Sequence, residues 1–211
     1  MISDTTRAEI ERLTRTLPGW CSLAKAVTLA DLVLVTGAET VVEIGLFGGR
    51  SFFPMALALK QQGRGRAYGI EAYSNAIAVE TPTNEVNDAW WAELDIGSIK
   101  RTFLAYLLEA ELENHAALVE LASDDAYAAF ATPRFAGLID IVHIDGSHSP
   151  EQSLRDLQRW SGLLRPSGYI IADDIGWPSL ADGRAWLTET HQMMTEVFAG
   201  GESYGVYRKH G

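Results

Sequence analysis

Carboxylates and a histidine follow two apolar runs in the second half of the sequence. Asp145 and His148 come after the run at 138–144 in VHIDGSHSPEQ, and Asp173 and Asp174 end the run IIADD. If these runs are neighbouring strands, three carboxylates meet at one sheet edge, where bound protons or a cation must compensate their repulsion. Oxygen ligands suit a hard cation such as Mg²⁺. A histidine with an ordinary pKa of about 6.5 can take a proton from a hydroxyl group.

Glycines and further acids follow the earlier apolar runs. VVEIGLFGGRS places Glu43, Gly45 and Gly49 where a strand would turn into a helix, and such glycines let backbone amides approach a ligand closely. A nicotinamide fingerprint would need Gly-x-Gly-x-x-Gly, and this spacing is absent. An acid at the strand end suits a cationic ligand group better than a diphosphate. Glu71 ends the next run, where a carboxylate can accept from both hydroxyls of a ribose.

Five short apolar runs predict the strands that position these residues. They lie at 40–44, 67–70, 117–121, 138–144 and 169–172. Helix-like segments lie between them at 51–61, 100–113, 124–131 and 150–164. This alternation predicts a doubly wound α/β fold with a parallel sheet covered on both faces. After the fifth strand, 179–198 is predicted to be a helix and 203–207 a last strand.

The loop that holds Asp145 and His148 has a clear end. Ser149 as N-cap, Pro150 at the first helical position and Gln152 three residues after the cap are typical of a helix start. Asp145 and His148 are therefore expected in a strand-to-helix loop at the carboxyl end of a central strand, where open α/β sheets bind ligands.

Two segments flank the predicted sheet without belonging to it. Residues 1–36 are predicted to form an N-terminal helical cap of two helices, separated at Pro18 and Gly19. The longest irregular segment is 72–99, which holds Pro82, Asn84, Asn87, Trp90 and Trp91. An insertion at a ligand edge is often a lid or an acceptor wall. Alternatively, the tryptophans only pack the insertion onto the domain.

Composition bounds the class of protein. A length of 211 residues predicts one domain over 1–211, and a net charge of -11 argues against a nucleic-acid partner. Cys21 is the only cysteine, so no disulfide within the chain is expected. The polar start after Met1 and the lack of a long apolar run predict a cytoplasmic protein that does not bind a membrane.

The ordered set of motifs resembles the class I S-adenosylmethionine-dependent methyltransferases. Within that class it is similar to the metal-dependent O-methyltransferases of the catechol, antibiotic-sugar and cephalosporin types, over about 41–175. The resemblance implies a Rossmann-like, mostly parallel seven-stranded sheet with N-terminal helices. The residues it assigns to the cofactor are Glu43, Gly45, Phe47, Gly49 and Ser51 around the methionine part, Glu71 at the ribose, and Ser123 and Asp124 of LASDDA at the adenine, with Asp125 as the alternative to Asp124.

The same resemblance assigns the residues of the second constellation. It implies a divalent metal, Mg²⁺ or another cation, held by Asp145, Asp173 and Asp174, with Asp145 and His148 as the catalytic pair. At the position of His148 the catechol enzyme has a lysine and the antibiotic-sugar enzymes have a histidine. The catechol pattern has an amide where this chain has Asp174. The extra negative charge favours a neutral diol or sugar hydroxyl over a catecholate as acceptor.

The sequence therefore predicts an O-methyltransferase that acts on a small hydroxylated molecule, such as a sugar or a secondary metabolite, with a homodimer as one assembly. Three alternatives stay open: a metal-independent methyltransferase with His148 as base, a module that binds S-adenosylmethionine without turnover, and a dehydrogenase, which the glycine spacing disfavours. Single residues also have plainer interpretations. The acids and His148 could be turn and loop residues, Ser123 or Asp124 a helix N-cap, and His143, inside an apolar strand, a hydrogen-bonded core histidine.

Overall fold

A central sheet organises the chain in the computed structural model, which describes residues 1–79 and 85–211. The described part contains seven strands in the order β3-β2-β1-β4-β5-β7-β6. Their bounds are β1 Thr40–Ile44, β2 Arg66–Ile70, β3 Ala116–Val119, β4 Ile139–Ile144, β5 Leu164–Asp173, β6 His191–Ala199 and β7 Glu202–Lys209. Strands β1 to β5 pair in parallel, and β7 runs antiparallel to both β5 and β6. The predicted Rossmann-like, mostly parallel seven-stranded sheet is confirmed.

Helices cover both faces of this sheet. They are α1 Asp4–Thr16, α2 Leu23–Thr36, α3 Phe52–Gln62, α4 Asn75–Ala78, α5 Glu85–Glu93, α6 Ile96–Glu109, α7 Ser123–Phe130, α8 Pro150–Leu163 and α9 Ala181–Thr190, with a 3-10 turn at Pro178–Leu180. Neighbouring residues of one strand point to opposite faces. Val41 accordingly packs in a core formed with α1, α2, α3 and α6, and Val42 in a second core formed with α7, α8 and α9.

The strand order places the ligand edge beside β1. Strand β1 lies between β2 and β4, so the chain leaves it in opposite directions across the sheet. In open α/β sheets, ligands bind at such a point, outside the carboxyl ends of the strands. Ile44 of β1 is paired with Ile144 of β4, and Ile144 with Ala172 of β5. The residues after these three, Gly45, Asp145 and Asp173, therefore lie side by side at this edge, with Asp173 as the last residue of β5.

The predicted helix over 179–198 is wrong in its second half. Helix α9 ends at Thr190, and β6 then pairs with β7 along its length, joined by a turn at Gly200 and Gly201. Pairing with β7 satisfies the backbone of this segment and outweighs its helix-like pattern. Met193 and Phe198 are about half exposed on this edge strand.

The 72–99 segment is more regular than predicted. It contains α4, α5 and the first turn of α6. Asp95 caps α6, because its side chain accepts a hydrogen bond from the Ser98 amide. Pro82 and Asn84 lie outside the described residues. In the part of the chain that the structure describes, no helix is long and apolar enough to cross a membrane.

Candidate functional site

A cavity of about 880 Å³ opens at the carboxyl ends of β1, β2, β4 and β5. The predicted site residues that line it are Gly45, Phe47, Ser51, Glu71, Ser123, Asp124, Asp145, His148, Asp173 and Asp174. Glu43 and Gly49 are not among its lining residues. The structure thus brings residues of both constellations of the sequence to one cavity, with Gly45 next to the loop that carries Asp145.

Gly45 allows the two central loops to touch through their backbones. Its φ is +84°, and a Cβ added there would lie 2.0 Å from the carbonyl oxygen of Asp145 and 2.8 Å from Cα of Gly146. Only glycine fits a backbone contact this close. The loop after β1 is therefore held directly against the loop that carries Asp145.

Gly49 and Glu43 support the glycine loop from behind. Gly49 also has a φ of +84°, and an added Cβ would meet the rings of Phe53 and Phe103 within 2.8 Å. Glu43 is fully buried and accepts a hydrogen bond from the Ser51 hydroxyl. Glu43 does not line the cavity itself, but Ser51, whose hydroxyl it binds, does.

Glu71 fixes the shape of the same loop. Its Oε2 accepts hydrogen bonds from the backbone amides of Leu46 and Phe47, each at 3.1 Å, and its Oε1 accepts from the Tyr73 amide at 3.2 Å. Phe47 and Tyr73 both have a φ of +45°, a conformation that costs energy for residues with a side chain. Both line the cavity, so the strain is stored where a ligand would contact the loop.

Ser123 and Asp124 lie in the first turn of α7, at the adenine position that the resemblance implies. The N-cap of this helix is Ala122, so the interpretation of either residue as N-cap is wrong. The Ser123 hydroxyl donates to Oδ1 of Asp156 at 2.5 Å and accepts from Nε1 of Trp160 at 3.1 Å. Burial raises the pKa of Asp156, against the hydrogen bond from Ser123. Asp124 lines the cavity, whereas its neighbour Asp125 is not among the lining residues.

Asp145 and Asp173 meet a buried ammonium group that the sequence analysis missed. Lys25 of α2 is only 1% exposed; its Nζ donates to Oδ2 of Asp173 and lies 3.9 Å from Oδ2 of Asp145. The Tyr204 ring lies against the same group, with its centroid 5.6 Å from Nζ. The compensating charge for two of the three predicted metal ligands therefore comes from the chain itself.

The charges of this cluster are strongly linked. Burial and the neighbouring Asp173 raise the pKa of Asp145, against the opposite effect of Lys25. Burial acts in the same direction on Asp173, but Lys25 and His143 outweigh it and lower the pKa of Asp173. Burial alone would lower the pKa of Lys25, yet Asp145 and Asp173 raise it. Asp173 and Lys25 therefore form a charged pair, with Asp145 beside them as the group that holds a proton most readily.

His148 is paired with the third acid. Its Nε2 lies 2.8 Å from Oδ2 of Asp174, and its ring lies over Trp177 with 4.6 Å between ring centroids. Asp174 has a φ of +53°, and its amide donates to Oδ1 of Asp173 at 3.1 Å. This backbone conformation places the Asp174 carboxylate beside the histidine.

His143 is a core histidine, as predicted, but without the expected hydrogen bonds. It is fully buried, and neither ring nitrogen has a hydrogen-bond partner. Its Nδ1 lies 3.4 Å from Oε1 of Glu43, and its Nε2 lies 3.9 Å from Oδ2 of Asp173. One ligand atom each of Glu43, His143 and Asp145 lie within 4.8 Å of one another, a spacing that could suit a metal ion.

The three predicted ligands, Asp145, Asp173 and Asp174, do not fit a divalent cation in this arrangement. Asp173 is already bound to Lys25, and Asp174 is bound to His148. A divalent ion on Asp145 and Asp173 would have to share their oxygens with the Lys25 ammonium. The ion and the ammonium would also repel each other, and even two unit charges about 4 Å apart repel by about 4 kcal/mol at an effective dielectric constant of about 20. Two of the three predicted ligands, Asp145 and Asp173, thus meet at a cation of the protein itself, whereas the third, Asp174, is paired with His148.

Aromatic side chains form a further wall of the cavity. The Trp20 ring lies 5.0 Å from the Phe47 ring and 5.6 Å from the Trp90 ring, between centroids, and Trp91 lies 5.7 Å from Phe47. All four residues line the cavity. The two tryptophans of the insertion therefore both pack against the glycine loop and face the space where a ligand would lie. Trp20 was missed in the sequence because it lies next to the predicted Pro-Gly break, apart from any motif.

Comparison with known proteins is consistent with this geometry. No match was found among curated proteins. Among solved structures, the chain is similar to an O-methyltransferase from Bacillus cereus in complex with S-adenosylhomocysteine, with a TM-score of 0.69, 16% identity, and coverage of 99% of this chain and 93% of the other. It is also similar to the O-methyltransferase TomG from Streptomyces achromogenes, involved in tomaymycin synthesis and solved with S-adenosylmethionine, with a TM-score of 0.69, 19% identity, and coverage of 100% and 92%.

These two likenesses show the fold. The family is shown by the sequence itself, because residues 42–175, from within β1 to just after β5, match the model of a methyltransferase domain. This range holds the glycine loop, Glu71, Asp145, His148 and both acids after β5. The chain is therefore a member of the methyltransferase-domain family, an enzyme with the class I fold that uses S-adenosylmethionine.

Proposed function

We propose that this enzyme transfers the methyl group of S-adenosylmethionine to a hydroxyl oxygen of a small, neutral molecule. The observation that carries the proposal is the pairing of His148 with Asp174 at 2.8 Å on the wall of the cavity that also contains the glycine loop. A histidine supported by a carboxylate is a group that can take a proton from a hydroxyl. Both similar structures named above belong to proteins described as O-methyltransferases, which supports oxygen as the acceptor atom.

The cofactor is proposed to lie along the glycine loop. Gly45 and Phe47 would face its methionine part, Glu71 its ribose, and Ser123 and Asp124 its adenine, and all five line the cavity. Glu71 and Asp145 line the cavity, and carboxylates there suit a cationic cofactor better than a diphosphate, which agrees with the missing nicotinamide fingerprint. Glu43 and Gly49 support the loop without lining the cavity.

The proposed reaction is an in-line displacement at the methyl carbon. The acceptor hydroxyl gives its proton to His148, its oxygen forms a bond to the methyl carbon, and the carbon–sulfur bond breaks so that the sulfonium becomes a neutral thioether. The Asp174 carboxylate stabilises the imidazolium that forms. Holding both reactants in line supplies much of the acceleration in such a step.

The metal requirement is the finer part of the proposal, and here the geometry favours the metal-independent alternative. A bound Mg²⁺ would bind the acceptor oxygen and lower the pKa of its hydroxyl. Lys25 already pairs with Asp173 and lies near Asp145, so the chain compensates its own carboxylates. We therefore propose no step that passes through a metal ion.

The acceptor is proposed to present a flat or apolar face beside its hydroxyl. Trp20, Trp90 and Trp177 are each at least two-fifths exposed and line the cavity, so they offer ring surface to a ligand. Aromatic rings bind such faces, including the C–H faces of sugars. A neutral acceptor suits a cavity whose acids are already paired. A sugar or a secondary metabolite with a free hydroxyl satisfies both conditions.

The proposal has a direct test in two steps. Calorimetric titration with S-adenosylmethionine and S-adenosylhomocysteine checks cofactor binding, and mass spectrometry of products from a panel of diols, sugars and phenols checks transfer. Methylated oxygen in a product, lost in His148→Ala with cofactor binding retained, is the expected result. Cofactor binding with no transfer to any acceptor would favour the non-catalytic binding module instead. No cofactor binding would contradict the proposal.

Assembly and cellular location are separate proposals. Strand β6 is the last strand of the described sheet and exposes Met193 and Phe198, which supports pairing with a second copy of the chain. Light scattering after gel filtration distinguishes a monomer from a dimer. A cytoplasmic location stays a prediction, which cell fractionation tests.

A further inference from the structure

Lys25 lies at the acid cluster without lining the cavity. It belongs to the apolar helix α2, is 1% exposed, and directs Nζ at Oδ2 of Asp173. Asp145 and Asp173 both line the cavity, whereas Lys25 is not among its lining residues. The ammonium therefore contacts the acids from the protein side, opposite to where a ligand would approach.

A buried ammonium is stable only if it is paired. Removing a lone charge from water costs far more than packing returns, so a buried lysine needs carboxylate partners. Asp173 and Asp145 supply them, at hydrogen-bond contact and at 3.9 Å. The dependence is mutual, because two adjacent carboxylates also need a cation or a proton. Lys25 and these acids form a closed set of charges.

The geometry points to Lys25 as the built-in replacement for a divalent cation at Asp145 and Asp173, so that the enzyme works without a metal ion. This inference deepens the proposed hydroxyl methylation and rests on it for the role of the acids. Lys25 is a positioning residue: it holds Asp173 and Asp145 in place and does not touch the acceptor. Asp145, whose side chain is about one quarter exposed, is the member of the set that an acceptor hydroxyl can reach.

The inference implies that Lys25 excludes divalent ions from a cluster that would otherwise bind them. Replacement by methionine keeps an unbranched apolar stem and removes the charge. Asp145, Asp173 and the adjacent Asp174 then retain oxygen ligands of the kind that Mg²⁺ and Mn²⁺ prefer. The expected result of Lys25→Met is a gain of metal binding, which a purely structural role of the lysine would not produce.

The experiment is a Mn²⁺ titration of metal-stripped protein, followed by the electron paramagnetic resonance signal of free Mn²⁺, with S-adenosylhomocysteine present. Wild-type protein is expected to bind no stoichiometric Mn²⁺. Lys25→Met is expected to bind about one ion per chain, with a Kd at least about ten-fold lower than that of the wild type. The double variant Lys25→Met/Asp173→Asn should lose the gained site. Lys100→Met is the matched control, because Lys100 also pairs with a carboxylate, Glu120 at 2.6 Å, but on the surface. It should behave as wild type.

Two results would overturn the inference. One is a wild-type chain that binds one Mn²⁺ tightly, whether at the acids around Lys25 or at Glu43, His143 and Asp145. The other is a folded Lys25→Met variant that gains no Mn²⁺ binding. Circular dichroism establishes folding; if Lys25→Met does not fold, Lys25→Gln takes its place, and the wild-type titration can still overturn the inference by itself. Failure of the proposed function would appear as missing methyl transfer and would leave the Mn²⁺ results unchanged.

Discussion

His148 and Asp174 form a hydrogen-bonded pair across the carboxyl ends of β4 and β5, with 2.8 Å between Nε2 and Oδ2. The two residues are 26 positions apart in the chain, and the parallel pairing of Ile144 with Ala172 brings their loops together. Asp174 reaches the histidine because its backbone adopts a φ of +53°. The sheet therefore positions a candidate base and the carboxylate that would stabilise its protonated form.

Removal of the base should slow methyl transfer while cofactor binding is retained. We expect His148→Ala to lower kcat by about 10²- to 10⁴-fold, the usual contribution of a general base. Asp174→Asn should lower kcat by less, since it keeps the histidine but removes the charge that stabilises the imidazolium. Steady-state kinetics and calorimetry with S-adenosylhomocysteine measure both effects. His115→Ala is the control, because His115 lies away from the cavity and contacts the carbonyl oxygen of Gly65. Wild-type turnover in His148→Ala would contradict its assignment as base.

Gly45 should tolerate no side chain. A Cβ at this position would lie 2.0 Å from the Asp145 carbonyl oxygen, so Gly45→Ala must push apart the two loops that line the cavity. We expect a loss of S-adenosylmethionine binding and a lower free energy of unfolding in urea. Gly63→Ala is the matched control, because Gly63 also has a positive φ of +76° but no atom within 4 Å of its added Cβ. The control should lower the free energy of unfolding only by the cost of a side chain at positive φ, about 1–2 kcal/mol, and should keep cofactor binding. Equal effects in both variants would show that the loop contact is unimportant.

The sequence predicted the sheet and the place of the site because those depend on local patterns. The run at 40–44 matches β1, and Ser149 caps α8 as expected, with its hydroxyl accepting from the Gln152 amide. Once β4 and β5 are known to be parallel neighbours, the convergence of Asp145 and Asp173 follows from their positions at the strand ends. The helix predicted over 179–198 failed because the pairing of β6 with β7 is a tertiary contact.

Lys25 could not be found as part of the site by the same means. It lies about 120 residues before Asp145 in sequence, and helical spacing indicated only the apolar positions around it. The one available signal was a lysine within a mostly apolar helix, which a polar outer face would also explain. Its contacts with Asp145 and Asp173 depend on how α2 packs on the sheet, which the sequence pattern does not give. The sequence likewise could not show that Glu43 and Gly49 lie behind the glycine loop, because this depends on which face of the loop is turned to the cavity.

Folding stability should fall as the pH drops below neutrality, in part through His191. Burial lowers the pKa of His191 to about 4, with a further contribution from Lys209 and His210. Its ring is hydrogen-bonded to Ser161, at 2.8 Å from Nε2. In the unfolded chain this histidine has an ordinary pKa of about 6.5, so between about pH 6.5 and 4 it is protonated in the unfolded chain and neutral in the folded one. The stabilising contribution is complete above about pH 6.5 and is lost as the pH falls towards 4.

Urea unfolding at a series of pH values measures this effect. His191→Gln should show a smaller loss of unfolding free energy between about pH 6.5 and 4 than the wild type, because the variant lacks the group whose pKa is lowered by folding. His115→Gln is the control, since His115 contacts the carbonyl oxygen of Gly65 and is not among the groups that shift the pKa of His191, and its slope should match the wild type. A wild-type slope in His191→Gln would assign the pH dependence to other groups.

Metal removal should leave methyl transfer unchanged once an acceptor is known. Lys25 compensates Asp173 and lies 3.9 Å from Asp145, so chelation with EDTA removes nothing that the wild-type site uses. We expect kcat and the acceptor KM to stay within a factor of about two of the untreated enzyme, well below the ten-fold change that about 1.4 kcal/mol of lost transition-state stabilisation would produce. Addition of Mg²⁺ should not raise the rate. A rate that falls with EDTA and returns with Mg²⁺ would instead mean that a metal displaces the Lys25 ammonium from the acids in the working enzyme.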